Sequence, residues 1–203
     1  ENKHTLLKVL GVTAVAGASA YAGAGYYVFR NAFDLQNSRF LQKCGASMQL
    51  PLLQMEKNEW FAHSNRFDDF IDSYDGLKLH ALRIVNQEDS HKWIIIQHGI
   101  ASYSGTLLEH MWEADHRGFN ILAPDARGYG MSEGKYTGLG WCEHFDLISW
   151  INYLVNLDPQ AEIVLFGINV GACSVMNAVG DYLPRNVKCA IAEGGYKEIK
   201  DII

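Results

Sequence analysis

Residues 118–141, GFNILAPDARGYGMSEGKYTGLGW, place an apolar run directly before a glycine-rich loop. The run Asn120–Pro124 has the length and composition of a buried strand, and the loop begins at Asp125. The stretches KWIIIQHGI (92–100) and EIVLFGINVG (162–171) also place an apolar run before a glycine turn. Repeated strand–loop units of this kind predict an α/β domain, and such sheets bind ligands at the carboxyl ends of their parallel strands.

The segments around these runs complete an alternating pattern of strands and helices. Asp75-Gly76 favours a tight hairpin turn between two strands, and apolar residues at three- and four-residue spacing predict helices. The predicted elements, in chain order, are strands Phe67–Tyr74, Leu77–Val85 and Lys92–Gln97, a helix over 106–117, strand Asn120–Pro124, a helix over 141–155, strand Glu162–Phe166, a helix over 170–182 and strand Val187–Ala192. We expect a mostly parallel central sheet that begins with the hairpin and continues through KWIII, NILAP, EIVLF and VKCAIA, with flanking helices.

The N-terminal segment, residues 1–30, contains an uncharged run of 21 residues from Val9 to Phe29. As a helix this run is about 30 Å long, which is enough to cross a bilayer core. We predict a single-pass transmembrane anchor that contacts a cell membrane through residues 9–29. A signal peptide cleaved near Ala18-Ser19-Ala20 and a buried globular helix are the alternatives. Because basic residues lie on both sides of the run, the sequence does not determine on which side of the membrane the α/β domain lies.

Composition limits the function classes that remain. The 203 residues are 48% hydrophobic and 20% charged, as in a folded protein with one sizeable domain. We divide the chain into the N-terminal segment, a lead-in over 31–65 and an α/β domain over 66–203. A net charge of -6 disfavours nucleic acid as a partner. The four cysteines show no metal-ligand spacing, and we predict neither a metal site nor a cofactor.

Three motifs at predicted strand ends together carry a resemblance to a known family. They are Gln97-His98-Gly99-Ile100, the loop from Asp125 to Ser132, and Gly167-Ile168-Asn169-Val170-Gly171. In this order and spacing they resemble the α/β-hydrolase superfamily, and most of all the bacterial membrane-anchored serine hydrolases of the serine aminopeptidase-like and acyl-esterase-like group. The resemblance covers about residues 60–200 and the N-terminal part of that fold. It implies hydrolysis of ester or amide bonds through a serine nucleophile, with a small acyl or peptide ligand.

The resemblance also assigns roles to residues of the last motif. Gly167 and Gly171 would flank a nucleophile on a strained strand-to-helix turn, where larger side chains clash. The nucleophile position holds Asn169, whose carboxamide is a poor nucleophile. An oxyanion hole would combine the N–H of Val170 with that of Ile100. The carboxamide of Asn169 could itself partly occupy that hole.

His98 and Gly99 fit the loop that the resemblance places beside the oxyanion hole. We expect the His98 ring to hydrogen-bond this turn and not to act as the catalytic base. We also considered Ser174 and Cys173 as substitute nucleophiles, and we disfavour both. Ser174 is turned away around the helix, and Cys173 is expected to pack as a small apolar group.

The catalytic triad is absent from this sequence as a unit. In the family the order is serine, acid, histidine, but the last of the eight histidines here is His144, which precedes the elbow. We expect an incomplete α/β-hydrolase domain, truncated after about the sixth strand and inactive as given. A pseudoenzyme that binds or regulates at the membrane is the main alternative. Deamidation of Asn169 to an aspartate, resembling the nucleophile of haloalkane dehalogenases, is another.

Overall fold

A computed structural model describes residues 2–38 and 55–197 of the chain. Its helices are α1 (Asn2–Phe33), α2 (Met55–His63), α3 (Leu108–His116), α4 (Cys142–Leu157) and α5 (Val170–Val179), with a short 3-10 helix (Ser104–Leu107) before α3. Its strands are β1 (Arg66–Asp72), β2 (Lys78–Ile84), β3 (Lys92–Gln97), β4 (Asn120–Pro124), β5 (Glu162–Ile168) and β6 (Val187–Glu193). All six predicted strands are therefore present, with ends that differ from the prediction by no more than two residues.

The described strands form one mixed sheet in the order β1-β2-β4-β3-β5-β6. β1 and β2 are antiparallel, β2 pairs antiparallel with β4, and the remaining pairings are parallel. The prediction that KWIII follows the hairpin was wrong, because β4 lies between β2 and β3. The crossover through α3 returns the chain towards the hairpin, and the crossover through α4 then carries it past β3 to form β5. β5 lies inside the sheet and parallel to β3, as predicted.

Two apolar cores hold helices on opposite faces of the sheet. On one face, Leu147 and Ile151 of α4 pack with Ile163 of β5 and the interior side of α5. On the other face, Met111 of α3 packs against Ile121 of β4. Because β3 is parallel to its neighbours β4 and β5, the carboxyl ends of the three strands meet at one edge of the sheet, where the three motifs lie.

Helix α1 extends away from the sheet and contacts the domain at its C-terminal end. Residues 17–30 are exposed. The Phe33 carbonyl accepts a hydrogen bond from the Thr137 N–H at 3.0 Å, and the Phe29 and Tyr136 rings are 5.3 Å apart.

The membrane prediction is not confirmed by the described helices. Across residues 2–38 and 55–197, none of them is both long and apolar enough to cross a membrane. Anchoring through residues 9–29 therefore stays a prediction. In the lead-in segment, residues 31–33 continue α1 and residues 55–63 form α2, whereas residues 39–54 lie outside the described part of the chain.

Candidate active site

The turn from β5 to α5 has the geometry of a nucleophile elbow. Asn169 has φ 53° and ψ -113°, a backbone conformation that L residues rarely adopt and that costs about 1–3 kcal/mol. A Cβ at Gly167 would lie 2.3 Å from the Gly171 carbonyl oxygen, and one at Gly171 would lie 2.2 Å from the Gln97 carbonyl oxygen. Only glycine fits at these two positions, because β3, β5 and the first turn of α5 approach one another so closely.

The Asn169 side chain is turned onto the adjacent backbone. Its Oδ1 accepts a hydrogen bond from the Val170 N–H at 2.8 Å. That N–H is one of the two donors that the resemblance assigns to the oxyanion hole. The carboxamide therefore satisfies the donor that would otherwise bind the developing negative charge of a substrate, and the side chain supplies no group that could attack one.

The loop after β3 lies directly against the elbow. A Cβ at Gly99 would be 3.2 Å from the Asn169 Cβ, so this loop and the elbow are in contact. Ile100 and Val170, the two predicted oxyanion residues, line the same cavity, whose volume is about 10 Å³. The structure thus brings the predicted site residues together, but the described residues leave room there for little more than a water molecule.

His98 joins the loops after β3 and β4. Its Nε2 accepts the Ala126 N–H at 2.9 Å, and its Nδ1 lies 2.7 Å from the Gly99 carbonyl oxygen. Because a backbone N–H can only donate, Nε2 is the acceptor and Nδ1 carries the proton. Burial lowers the pKa of His98, which keeps the ring neutral. Both nitrogens are thus engaged with the turns, as expected, and neither is available as a general base.

Neither Ser174 nor Cys173 is placed to replace the missing nucleophile. Ser174 is fully buried and donates its hydroxyl to the Val170 carbonyl oxygen at 3.2 Å. The Cys173 sulfur accepts the Tyr196 N–H at 3.4 Å. The Ser174 bond lies within α5, and the Cys173 contact joins α5 to the segment after β6, so the structure supports the prediction against both residues.

Glu143 is a buried residue of the site that the sequence analysis missed. Its Oε1 accepts the Gly138 N–H at 2.7 Å and the Thr137 hydroxyl at 3.0 Å, while Oε2 accepts the Gly140 N–H at 2.9 Å. It lines the elbow cavity and fixes the loop before α4. The sequence signal was a carboxylate in the first turn of a helix, directly after closely spaced glycines.

A larger cavity of about 770 Å³ lies away from the elbow, beside His80 and Asp125. The His80 Nδ1 is 2.7 Å from an Asp125 oxygen, and its Nε2 is 2.9 Å from an oxygen of Asp68 on β1. Burial opposes protonation of His80, but the two carboxylates outweigh it and raise the pKa of His80 above its usual 6.5. Asp125 also accepts the backbone N–H groups of Ser104 and Met131, so this cluster ties β1 and β2 to two loops.

We expect the His80 cluster to make stability depend on pH. Because the pKa of His80 is raised on folding, its contribution is fully present below about pH 6.5 and is lost as the pH rises through the folded-state pKa. When the pH is raised from 6 to 9, the unfolding free energy measured with urea should fall by more in wild type than in His80→Gln. Equal losses in the two proteins would contradict the prediction.

Comparisons with known proteins agree on the fold of this chain. An esterase from Pyrococcus furiosus matches with a TM-score of 0.59 and 24% identity, over 72% of this chain and 55% of its own. An esterase from Exiguobacterium antarcticum matches with a TM-score of 0.53 and 21% identity, over 64% of this chain and 46% of its own. The chain thus spans about half the length of these esterases. A search of curated proteins finds no match.

The fold and the elbow together define an α/β hydrolase. More particularly, the chain belongs to the serine aminopeptidase S33 family, whose sequence pattern matches residues 88–201, more than half of its length. This match contains the loop after β3, the glycine-rich loop after β4 and the elbow. It confirms the superfamily that the three motifs indicated.

Proposed function

We propose that this chain is a hydrolase-family domain, by descent acting on ester or amide bonds, that does not itself turn over such substrates. The observation that carries the proposal is the hydrogen bond from the Val170 N–H to the Asn169 carboxamide. The elbow holds a residue that cannot attack, and that residue occupies an oxyanion donor. His98, which adjoins the elbow, is kept neutral by burial, which lowers its pKa, and both of its ring nitrogens are hydrogen-bonded.

The proposed substrate class, a small acyl or peptide ligand, follows from the family and from the esterases of similar fold. The P. furiosus and E. antarcticum proteins are esterases, and the family is named for a serine aminopeptidase. Ester and amide hydrolysis share one requirement, a nucleophile activated by a base beside an oxyanion hole. The described residues retain the elbow that would hold such a nucleophile.

The first test is hydrolysis of a short-chain p-nitrophenyl ester by the purified chain. We expect no turnover above that of heat-denatured protein and no labelling by a fluorophosphonate serine probe. Asn169→Ser should also show little activity, because residues 170–203 contain no histidine to act as the base of the restored serine. Loss of one triad member costs on the order of 10⁴ to 10⁶ in rate. Turnover by wild type that follows the amount of folded protein would overturn the proposal, because another residue would then act as the nucleophile.

A pseudoenzyme that binds an acyl or peptide ligand is the second candidate function. The observation that favours it is the strained backbone at Asn169, which persists although the residue cannot attack. Strain of this kind is usually kept where function requires it. Calorimetric titration with a short fatty acid separates the candidates, since a ligand at the elbow must displace the Asn169 carboxamide and should bind Asn169→Gly more tightly.

We further propose that residues 9–29 anchor the protein to a membrane. The uncharged run and the exposure of residues 17–30 support this proposal. The expected result is that the intact protein stays with cell membranes through an alkaline carbonate wash. Release of the intact protein into the wash would contradict it.

A further inference from the structure

Four exposed aromatic side chains, here called the aromatic patch, surround the first turn of α4. They are Tyr74, Trp141, Phe145 and Tyr182, and their exposed fractions are 57%, 63%, 38% and 95%. Single exposed aromatic residues are common, but a cluster of this size on one surface usually marks a site of interaction.

Ring contacts join three members of the aromatic patch, and Tyr182 follows a residue that contacts His144 in the same turn of α4. The Tyr74 and Phe145 rings are 5.1 Å apart, and the Trp141 and Phe145 rings are 6.3 Å apart. His144 lies beneath Trp141, with ring centres 5.1 Å apart, and its Nε2 is 3.3 Å from an oxygen of Asp181, the neighbour of Tyr182. The hairpin tip, α4 and the end of α5 therefore present their aromatic side chains together.

The ionisable groups beside the aromatic patch are already paired within the chain. Asp75 binds Arg127 at 2.8 Å, and Asp181 binds His144 at 3.3 Å. A charged partner would therefore gain little from these carboxylates. The chemistry of the surface is that of aromatic rings with polar tips, which suits the boundary between lipid headgroups and acyl chains.

The aromatic patch also lies near the foot of α1. Thr137 hydrogen-bonds the last residue of α1, and the neighbouring Tyr136 ring contacts Phe29. Trp141 is five residues after Tyr136, so the two are at most about 18 Å apart. The exposed part of α1 and the aromatic patch thus lie on neighbouring parts of the domain surface.

We propose that the aromatic patch docks on the lipid–water interface of a membrane, with Trp141 at headgroup depth. The inference deepens the membrane proposal above by assigning the side of the domain that faces the bilayer. The docking is driven by the aromatic rings and does not depend on anionic lipid, because the charged side chains beside the rings, Asp75 and Asp181, are carboxylates and do not attract anionic headgroups.

The test uses the tryptophan fluorescence of the full chain on phosphatidylcholine vesicles whose acyl chains carry bromine, a quencher. The chain has five tryptophans, of which Trp93 and Trp150 are buried, and Trp141 is 63% exposed. We expect Trp141→Phe to lose more than half of the lipid-dependent quenching. The matched control is Trp112→Phe on α3, which packs on the opposite face of the sheet and should keep the wild-type quenching.

Each outcome decides for or against the aromatic patch. Vesicle binding with unchanged quenching in Trp141→Phe would overturn the inference, as would a failure to bind vesicles at all. Self-association that is lost in Trp141→Ser would also overturn it, because a second copy would then cover the surface. Anchoring by α1 is tested separately by the carbonate wash. If the chain binds vesicles with quenching of Trp141 but is released by carbonate, the anchor is refuted and docking through the aromatic patch is supported.

Discussion

Replacing Gly171 by alanine is expected to destabilise the domain by more than about 3 kcal/mol. The added Cβ would lie 2.2 Å from the Gln97 carbonyl oxygen and 2.6 Å from the His98 carbonyl oxygen. Both atoms belong to the backbone at the end of β3, so no side chain can move aside to make room. Either α5 or β3 must shift. α5 packs into the apolar core on one face of the sheet, and β3 is paired with a strand on each side. Urea unfolding followed by circular dichroism measures the loss.

The matched control for this substitution is Gly25→Ala. Gly25 lies in the exposed part of α1, and nothing stands within 4 Å of the position that its Cβ would take. Alanine favours the helix by about 1 kcal/mol relative to glycine, so the control is expected to be neutral or stabilising. A wild-type unfolding midpoint for Gly171→Ala would show that the elbow is not packed as described.

The strands were predictable because each one carries its own local signal. After one polar residue each, KWIII, NILAP and EIVLF are apolar, as strands covered on both faces must be, and each is followed by a loop or turn that contains glycine. The order of β3 and β4 was not predictable in this way. The position of β4 between β2 and β3 depends on the direction in which the α3 and α4 crossovers carry the chain. The residues of the two strands do not indicate that direction.

The elbow was predictable for the same reason, since Gly167, Asn169 and Gly171 lie within five residues. The role of Glu143 was missed, because the N–H groups that donate to its carboxylate are brought to it only once the loop before α4 has folded back on the helix. The sequence places an acid at that position but does not show what it binds. The contacts of Arg127 were missed because they join segments that are far apart in the chain.

Arg127 connects three parts of the domain through one guanidinium group. Its Nε and Nη2 donate to the two oxygens of Asp146 on α4, each at 2.7 Å. Nη1 and Nη2 also reach the oxygens of Asp75 in the β1–β2 turn, at 2.8 and 3.1 Å. Burial alone would lower the pKa of Arg127, but the two carboxylates outweigh it and keep the group charged. The glycine-rich loop, the hairpin and α4 are thereby held together.

Arg127→Met is expected to cost about 3–5 kcal/mol of unfolding free energy at pH 7, because Asp146 would remain buried without its counter-charge. The matched control is Arg117→Met, whose 3.4 Å pair with Glu113 is exposed and should contribute less than about 1 kcal/mol. Adding Asp146→Leu to Arg127→Met should recover part of the loss, since the unpaired charge is then removed.

The loss in Arg127→Met should also depend on pH in a defined direction. Burial raises the pKa of Asp146 even with Arg127 present, so removal of the guanidinium leaves the carboxyl easier to protonate in the folded state. A protonated Asp146 carries no charge and needs no partner. The difference between wild type and variant should therefore be largest near pH 7 and smaller near pH 4.5, as measured by urea unfolding at both values. A difference that grows towards low pH would mean that Asp146 is not the residue left unpaired.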